Sequence, residues 1–562
     1  MSTTFDADLK PERYFRTYKD GEHLQGSFDL NGPLGNVSFY AQQRRAFFVA
    51  DLVRNHLEKT TRPEDGKTHY NALVIGAGLS GTTCFLALKA MGIKRVEMVE
   101  LADRPLEKQA EASHRNAHPH LAEWPRGKHF GSTTNLPFLN WHSGPVDDVI
   151  RQIRSDPIWA AEFSKPPGES DVHFGTALSE MRLVDDLFVP KFKQVSGDKT
   201  LDLKRHYRSI VWAMGYEENL AGVDFAGYWE VDIAKYIRKN IDRYHDRHVV
   251  VTGAGDGAVI EAGNLCVEGG DIERLLLECV CVLRGKHTSE FSPEKMEKSE
   301  FEADFARLLD ERDASQKVLD NDAFYLQLGN LLARHDDQLE RIFAGQGRRT
   351  GIESQRKITL MCERTPWVSK RCSPISLLAY HLLVRRDERN IWGQEPKWPS
   401  IAIEEKMFEP ITRPFDGKEP ILIPRHGARS KISRFGFKNF EERNSDDGLG
   451  GFLERGEYAE ATRAGTYYDA YFEGGTEGKS WKNYRRDLYI NYVGKRFPGA
   501  VLRIEDDGTI DLSVDFETHG DASRAIGGLD RELHGTTLRY RPMEDGFRHL
   551  DGDISNANEA PQ

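Results

Sequence analysis

Short apolar stretches that run directly into a glycine-rich turn dominate the first half of the chain. The first spans residues 70–75 before Gly76, and the second spans residues 248–252 before Gly253. In both cases a run with apolar residues at helical spacing follows the turn. A short apolar run bounded by glycine is typical of a buried strand, and spacings of three and four residues are typical of an amphipathic helix. The pattern therefore predicts two strand–turn–helix units and an α/β fold.

The first unit has every part of a dinucleotide-binding βαβ segment. Gly76, Gly78 and Gly81 form G-x-G-x-x-G, and a second apolar strand over 96–99 ends in Glu100. Glu100 follows Gly76 by 24 positions, close to the ~20 expected of such a unit. Gly76 permits the tight turn, Gly78 lets a pyrophosphate approach the backbone, and Gly81 lets the helix pack against the strand. The helix N-terminus offers N–H groups to phosphates, and Glu100 is placed to accept hydrogen bonds from a ribose.

The second glycine turn follows the same scheme. Gly253, Gly255 and Ala258 form G-x-G-x-x-A between a strand and a helix. Between the two units, a strand over 209–212 ends in Ala213-Met214-Gly215.

That order resembles the two-dinucleotide-binding-domain flavoproteins, the layout of thioredoxin reductases and flavin monooxygenases. The resemblance extends from about residue 70 to 284, and departs from the usual pattern with Met214 in the crossover and Gly257 in the second turn. It implies FAD at the first turn, with Gly215 near it, and NAD(P)H at the second. The fold class it implies is an FAD-binding Rossmann-like domain plus a second, NAD(P)-type Rossmann-like domain. The six cysteines contain no C-x-x-C, so the redox pair of the disulfide reductases is absent.

The apolar run over 275–283 is interpreted as the second strand of the second unit. It ends in Arg284, with Lys286 two positions further, and carries no acid at its end. A basic strand end suits a 2′-phosphate, so NADPH is expected as the second cofactor, with Arg284 contacting it. Cys279 and Cys281 would then be buried small residues on one face of that strand.

The remaining patterns divide the chain into four regions. Residues 1–64 form an arm whose helical pattern over 37–58 predicts an amphipathic helix. Residues 65–225 are the first part of the FAD domain, and 226–390 are the second domain. A charged stretch over 288–350 predicts two or three inserted helices, followed by a strand at 358–361 and a buried helix from 373. Residues 391–562 are expected to complete the FAD domain, with Gly520-Asp521 a weak flavin-contact motif and a polar, disordered tail from 551.

A histidine- and tryptophan-rich loop follows the first acid. It carries His118, His120 and His142 together with Trp124 and Trp141, and its prolines disfavour a long helix. Because it leaves Glu100 directly, we expect it to form a wall of the flavin pocket, or else to be packing only. The three histidines are the candidate catalytic acid–base groups, since imidazole titrates near neutral pH. A metal is not predicted, because a proline interrupts the histidines and a fourth ligand is missing.

Composition and charge narrow the partners. With 562 residues, 30% of them charged, two or three globular domains are expected. The net charge of −12 argues against a dedicated nucleic-acid binder, and no apolar run has the length of a membrane span. The N-terminal residues have no signal-peptide pattern, so a cytoplasmic location with reduced thiols is expected. A small-molecule substrate is expected, and self-association to a homo-oligomer is left open.

The sequence is consistent with three functions. The first is an FAD-dependent oxidoreductase that NAD(P)H reduces and that passes electrons to oxygen or a small substrate, as monooxygenases do. The second is an amine or amino-acid oxidase without nicotinamide. The third is a flavin- or nucleotide-binding sensor or scaffold, which the charged insert motivates.

Overall fold

The computed structural model of the chain describes residues 15–20, 22–30, 38–60, 70–125, 130, 132–134, 136–165, 170–195, 200–201, 205–218, 248–253, 255–267, 271–285, 299–314, 321–347, 358–362, 372–385, 402–405, 421–425, 428–430, 434–435, 501–504, 510–513 and 538–539. The strands in these ranges are β1 Arg16–Lys19, β2 Glu22–Asp29, β3 Tyr70–Ile75, β4 Val96–Val99, β5 Asn116–Ala117, β6 Gly144–Pro145, β7 Val172–His173, β8 Thr176–Val184, β9 Leu187–Gln194, β10 Thr200–Leu201, β11 Tyr207–Trp212, β12 Tyr216–Glu218, β13 Val249–Thr252, β14 Ile358–Cys362, β15 Ala402–Glu405, β16 Ile421–Pro424, β17 Ala428–Ser430, β18 Val501–Ile504, β19 Ile510–Ser513 and β20 Leu538–Arg539. The α-helices are α1 Phe39–Thr60, α2 Leu79–Ala90, α3 Glu107–Glu111, α4 Val146–Ser155, α5 Pro157–Phe163, α6 Asp256–Cys266, α7 Ile272–Leu283, α8 Glu300–Ala314, α9 Asn321–Leu332, α10 Asp336–Gly347 and α11 Pro374–Tyr380, which continues into a π-helical turn, His381–Arg385.

The first predicted unit forms the centre of a parallel sheet. β3 lies between β4 and β11, and β7 continues the sheet beyond β4; all these pairs are parallel. Numbered by chain position, the order of these four strands is 3-2-1-4, the order of a dinucleotide-binding half. The strands are nearly fully buried, which explains their continuous apolar sequence. β4 and β11 lie on opposite sides of β3, so the strand order reverses at β3. A crevice opens there at the carboxyl ends of the strands.

The N-terminal arm adds two strands to this sheet and a helix that packs on it. β2 pairs in parallel with β11, and β1 pairs antiparallel with β2. The helix predicted over 37–58 is present as α1. Sequence analysis missed β1 and β2, because their mixture of polar and apolar residues has no clear period. The arm is therefore an integral part of the first sheet.

The second glycine turn begins another parallel sheet, in the order β15-β14-β13-β16. β13 precedes the turn, and the chain order of these strands is again 3-2-1-4. The predicted strands at 248–252 and 358–361 are present as β13 and β14.

The strand predicted over 275–283 is wrong, because this segment is the helix α7. Leu275, Leu276, Cys279, Val280 and Leu283 are buried, at spacings of three and four, whereas Arg274 is exposed. A continuous apolar run satisfies both a buried strand and a buried helix face, and packing decides between them. Asp271 caps α7 by accepting the N–H of Arg274 at 2.9 Å. Among the described residues, β14 is the next strand after β13, and the helices α6 to α10 lie between them.

Helices α8, α9 and α10 lie in the charged segment where helices were predicted, and α11 is the predicted buried helix. Their apolar faces join the second sheet in one core, with Phe305, Leu309 and Leu328 fully buried. Gly520-Asp521 and the tail lie outside the described residues, and the division into regions at 65, 225 and 390 stays a prediction.

Candidate functional site

Close packing explains two glycines of the first turn. Gly76 has φ +105°, which favours glycine, and a Cβ there would overlap the carbonyl oxygen of Ala213, just beyond β11. A Cβ on Gly81 would overlap the carbonyl oxygen of Gly76. The turn, the start of α2 and the end of β11 therefore pack backbone to backbone.

Gly78 is different, because no backbone of the described residues lies close to it. Among those residues a Cβ there would meet only Gln109 Nε2, at 3.4 Å, and the residue has φ −69° and ψ 180°, which any residue adopts. Gly78 is also the residue that precedes α2, so the N–H groups of the first helical turn lie beside it. The fold does not require glycine here, whereas close approach of a phosphate group does. This cradle fits a dinucleotide pyrophosphate.

Glu100 lies beside the same turn, as predicted from its spacing. Its carboxylate accepts hydrogen bonds from the N–H of Ala77 and, at 2.8 Å, from the N–H of Ala102. The side chain is half-buried. Gly215, with φ +70°, follows β11 at the same edge of the sheet. The structure thus brings all five candidate FAD residues, Gly76, Gly78, Gly81, Glu100 and Gly215, to the carboxyl ends of β3, β4 and β11.

The second turn repeats this geometry. Gly253 has φ +129°, and a Cβ there would overlap the carbonyl oxygen of Arg425 at the end of β16. Ala258 is fully buried, and a Cβ at Gly255 would meet nothing within 4 Å of it among the described residues. The first glycine is again required by packing, and the second leaves space before the helix α6.

The reason for assigning Arg284 to NADPH is wrong, because Arg284 ends a helix. Its guanidinium donates to Glu302 of α8 at 2.8 Å and lies over the ring of Phe130 at 4.7 Å. Both side chains of the ion pair are buried, so Arg284 joins α7 to α8. Lys286 lies outside the described residues.

Strand register identifies the position that corresponds to Glu100 in the second sheet. Ile75 pairs with Val99, and Thr252 pairs with Met361. The residue after Met361 is Cys362, so a cysteine takes the place of the ribose-binding acid.

The predicted histidines occupy three different surroundings. His142 is exposed and its Nδ1 lies 2.8 Å from the hydroxyl of Thr133. The ring of His120 is buried, 5.1 Å from the ring of Tyr40. The ring of His118 lies 4.9 Å from that of Phe130. Burial, together with the charge of Arg284, lowers the pKa of His118 to about 3. A group with so low a pKa is a poor proton acceptor near neutral pH.

The loop that carries these histidines packs against the cores of both sheets. Trp141 packs in the first core and donates to Gln43 Oε1 at 2.7 Å, whereas Trp124 packs in the second core and donates to Glu302 Oε1 at 2.8 Å. Both indoles are buried. The predicted wall of the flavin pocket stays a prediction, because these contacts are to protein cores.

A buried ion cluster beside the second turn was missed by the sequence analysis. Glu261 of α6 accepts from Arg115 at 2.8 Å and from Arg425 at 3.1 Å, and all three side chains are nearly inaccessible. Asn116, next to Arg115, donates to Asp271 at 2.6 Å. The three charges come from a loop, a helix and a strand end far apart in the chain, so no local pattern indicates them. In the part of the chain that the structure describes, no group of three or more histidines, cysteines or carboxylates is arranged to hold a metal, and no helix there is long and apolar enough to cross a bilayer.

Comparisons with known proteins were made at three levels. No family model matches the chain, and no curated protein matches its sequence. Among solved structures, it is similar to the bacillithiol disulfide reductase from Bacillus cereus, with 12% identity, a TM-score of 0.32, and coverage of 72% of this chain and 100% of that one. It is also similar to the ornithine N-hydroxylase of Kutzneria sp. 744, with 10% identity, a TM-score of 0.29 and coverage of 72% and 99%. A third is the NAD-dependent persulfide reductase from A. fulgidus, with 11% identity, a TM-score of 0.27 and coverage of 65% and 46%.

The three are two reductases and an N-hydroxylase. At these TM-scores the functional argument rests on the chain itself. The sheet around β3, with its glycine turn and terminal acid, has the geometry of a dinucleotide-binding α/β fold.

Proposed function

We propose that the chain is an FAD-dependent oxidoreductase. The observation that supports this best is the contrast between Gly76 and Gly78. Gly76 is glycine because the protein backbone leaves no room, whereas Gly78 is glycine where Gln109 Nε2 is the only atom of the described residues within 4 Å of an added Cβ. Space reserved at the N-terminus of α2, beside Glu100, is what a bound pyrophosphate and ribose require.

In this proposal the chain's residues bind and orient FAD, which supplies the electron-transfer chemistry when bound. The N–H groups at the start of α2 donate to the pyrophosphate, and Gly78 leaves the room for it. Glu100 accepts from a ribose hydroxyl while the N–H of Ala102 holds its other oxygen. Gly215 has no side chain and so leaves space at the carboxyl end of β11, on the side of β3 away from Glu100.

We further propose that NADPH or NADH reduces the flavin from the second turn and that oxygen or a small organic molecule accepts the electrons. Gly253, Gly255 and Ala258 support a second dinucleotide, because they repeat the first turn on a sheet of the same strand order. The proposal does not depend on Arg284, which is held in its ion pair with Glu302.

One observation favours a second candidate, a flavin oxidase that takes electrons directly from an amine or amino acid. Cys362 stands where the second sheet would carry an acid for the adenosine ribose of NADH, and Arg284, the cation expected for NADPH, is held by Glu302, so the second turn lacks an expected contact for either nicotinamide. This leaves the second turn as a structural copy of the first.

Anaerobic titration separates the two. Protein that carries FAD is mixed with NADPH and then NADH, and the flavin absorbance near 450 nm is followed. Bleaching by either nicotinamide supports the first proposal. Bleaching by a primary amine or amino acid alone supports the oxidase, and the lack of flavin in the preparation and after reconstitution contradicts both.

A further inference from the structure

The helix α1 contains a buried polar segment that the proposed function has not used. Gln42, Gln43, Arg44 and Arg45 are consecutive, and all four are buried. Four consecutive helical residues point in all directions around the helix, so this part of α1 is covered on nearly every side, and Gln42 is the most exposed of the four. Three of the four have polar or charged contacts to other groups.

Gln42 stands apart from its neighbours. It is 9% exposed, and neither its amide nitrogen nor its amide oxygen has a hydrogen-bond partner among the described residues. A buried primary amide without partners destabilises the folded state, because the hydrogen bonds it makes to water in the unfolded chain are not replaced. Gln43, the next residue, satisfies both of its groups, accepting from Trp141 at 2.7 Å and donating to the Leu139 carbonyl at 3.0 Å. The protein therefore hydrogen-bonds one glutamine fully and leaves the adjacent one unsatisfied.

The direction of α1 places Gln42 near the carboxyl edge of the first sheet. α1 connects β2 to β3, which are parallel, and α2 connects β3 to β4 in the same direction across the sheet. Connections of this kind are right-handed, so both helices cover the same face and both begin at the carboxyl ends of the strands. Their extensive mutual packing agrees with this arrangement.

Distances along the helix make the placement more specific. His56 of α1 lies against Gly26 of β2, at the level of Ser209 in β11. From Ser209 to Ala213 a strand rises about 13 Å, and a helix covers that rise in about nine residues. Counting back from His56 reaches Phe47, so Gln42 lies about a turn further, at or just beyond the carboxyl end of β11.

Rotation around the helix axis gives the side. The loop-facing side of α1 carries Gln43 and Phe47, which contact Trp141 and Phe138 respectively. Gln42 lies about 100° from Gln43, on the same side of α1 as the fully buried Val49 and Val53 and as His56, which lies against Gly26 of β2. At its level beyond the strand ends, this side of α1 faces the crevice between β3 and β11.

We infer that Gln42 binds the flavin-mononucleotide half of FAD. This inference rests on the proposed function. Glu100 assigns the adenosine ribose to the β4 side of the glycine turn, so the other half of the dinucleotide extends to the β11 side. An amide that both donates and accepts suits the ribityl hydroxyls and the polar edge of the isoalloxazine ring. The N-terminal strand and helix thus complete the flavin site.

The test compares Gln42→Leu with Gln43→Leu in the full-length protein. FAD is removed, and each apoprotein is titrated with FAD by quenching of the flavin fluorescence, while melting temperatures are measured without and with FAD. Gln42→Leu should melt at or above the parent temperature without FAD, because a buried unsatisfied amide is removed. Its dissociation constant for FAD should rise about tenfold, the effect of one lost hydrogen bond. Gln43→Leu should lower the melting temperature of the apoprotein itself.

The outcomes are distinguishable. If the parent binds FAD and Gly78→Val abolishes that binding, but Gln42→Leu binds FAD as the parent does, the inference is overturned and the proposed function stands. If the parent does not bind FAD at all, both are overturned. Should Gln42→Leu fail to fold, Gln42→Met provides the same loss of the amide with an unbranched side chain, and unchanged FAD affinity in that folded variant also overturns the inference.

Discussion

At the scale of single residues, the glycines of the first turn have two different reasons to be glycine. Gly76 and Gly81 are required by the fold, because a Cβ at either would overlap a backbone carbonyl. At Gly78 no backbone atom of the described residues lies within 4 Å of a Cβ built there, so the described fold gives no such reason.

Substitution at Gly78 and Gly81 should therefore have different effects. Gly78→Val should fold with nearly the parent melting temperature and bind no FAD, because its side chain occupies the pyrophosphate space. Gly81→Ala should lose about 1–3 kcal/mol of unfolding free energy or more, through the steric conflict with Gly76. Flavin absorbance and thermal melting of both purified variants check this, and a Gly78→Val protein that stays yellow contradicts the FAD assignment.

Glu273 gives the molecule a predictable response to pH. Burial raises the pKa of its carboxyl group to about 7, from a usual value of 4.5, and the neighbouring charge of Arg115 opposes that rise. Between about pH 4.5 and 7, Glu273 is therefore protonated in the folded state and ionised in the unfolded state. The stability from this group is present in full below pH 4.5 and is lost as the pH rises through 7.

Glu273→Gln should remove this loss. At pH 8 the variant should be about 1–2 kcal/mol more stable than the parent, and at pH 4.5 the two should be close. Denaturant unfolding at the two pH values measures the difference. A variant whose stability difference from the parent does not change with pH would show that Glu273 is ionised normally in the folded protein.

At the scale of elements, α8 holds α7 and the histidine loop through one carboxylate. Glu302 accepts from Trp124 Nε1 and from Arg284, both at 2.8 Å, and is itself 2% exposed. The inserted helices thus fix the path of the loop between the two sheets.

Glu302→Ala should cost about 3–5 kcal/mol, because it leaves a buried guanidinium without its carboxylate. Glu300→Ala is the matched control, because Glu300 lies two residues before Glu302 on the same helix. Glu300 pairs with Arg334 at 3.2 Å on the surface, with 80% of its side chain exposed, so its removal should cost below about 1 kcal/mol. Equal melting temperatures for the two variants would contradict the role of Glu302.

At the scale of the whole molecule, the cluster of Arg115, Glu261 and Arg425 links the loop from the first sheet to the second sheet. Breaking a buried ion cluster by removing its single acid leaves two buried positive charges close together. The cluster therefore couples the two sheets energetically, although the three residues lie in distant parts of the sequence.

Glu261→Gln should lower the stability by about 3–5 kcal/mol and should split a single unfolding transition into two. An exposed trio serves as the control, since Glu180 pairs with Arg182 and with Lys191 on the hairpin of β8 and β9. Glu180→Gln should leave the melting temperature nearly unchanged. Scanning calorimetry of both variants tests this prediction. A single transition at the parent temperature in Glu261→Gln would contradict the energetic coupling of the two sheets.

The sequence by itself determined the local units of this protein. Strands β3, β4 and β13, the two glycine turns, Glu100 and the helix α1 follow from apolar runs, glycine spacing and helical periodicity, all of which act over a few neighbouring residues. The conformational need for glycine at Gly76 and the space at Gly78 are consequences of the same local motif.

Only the tertiary structure decided the rest. Packing made 272–283 a helix instead of a strand, and so removed the reason for Arg284 as a phosphate ligand. As a result, Cys362 of β14 takes the position in the second sheet that Glu100 has in the first. Packing also brought Arg115, Glu261 and Arg425 together and left Gln42 without a hydrogen-bond partner among the described residues. Long-range contacts of this kind depend on which surfaces meet in the folded chain, and no period or spacing in the sequence records them.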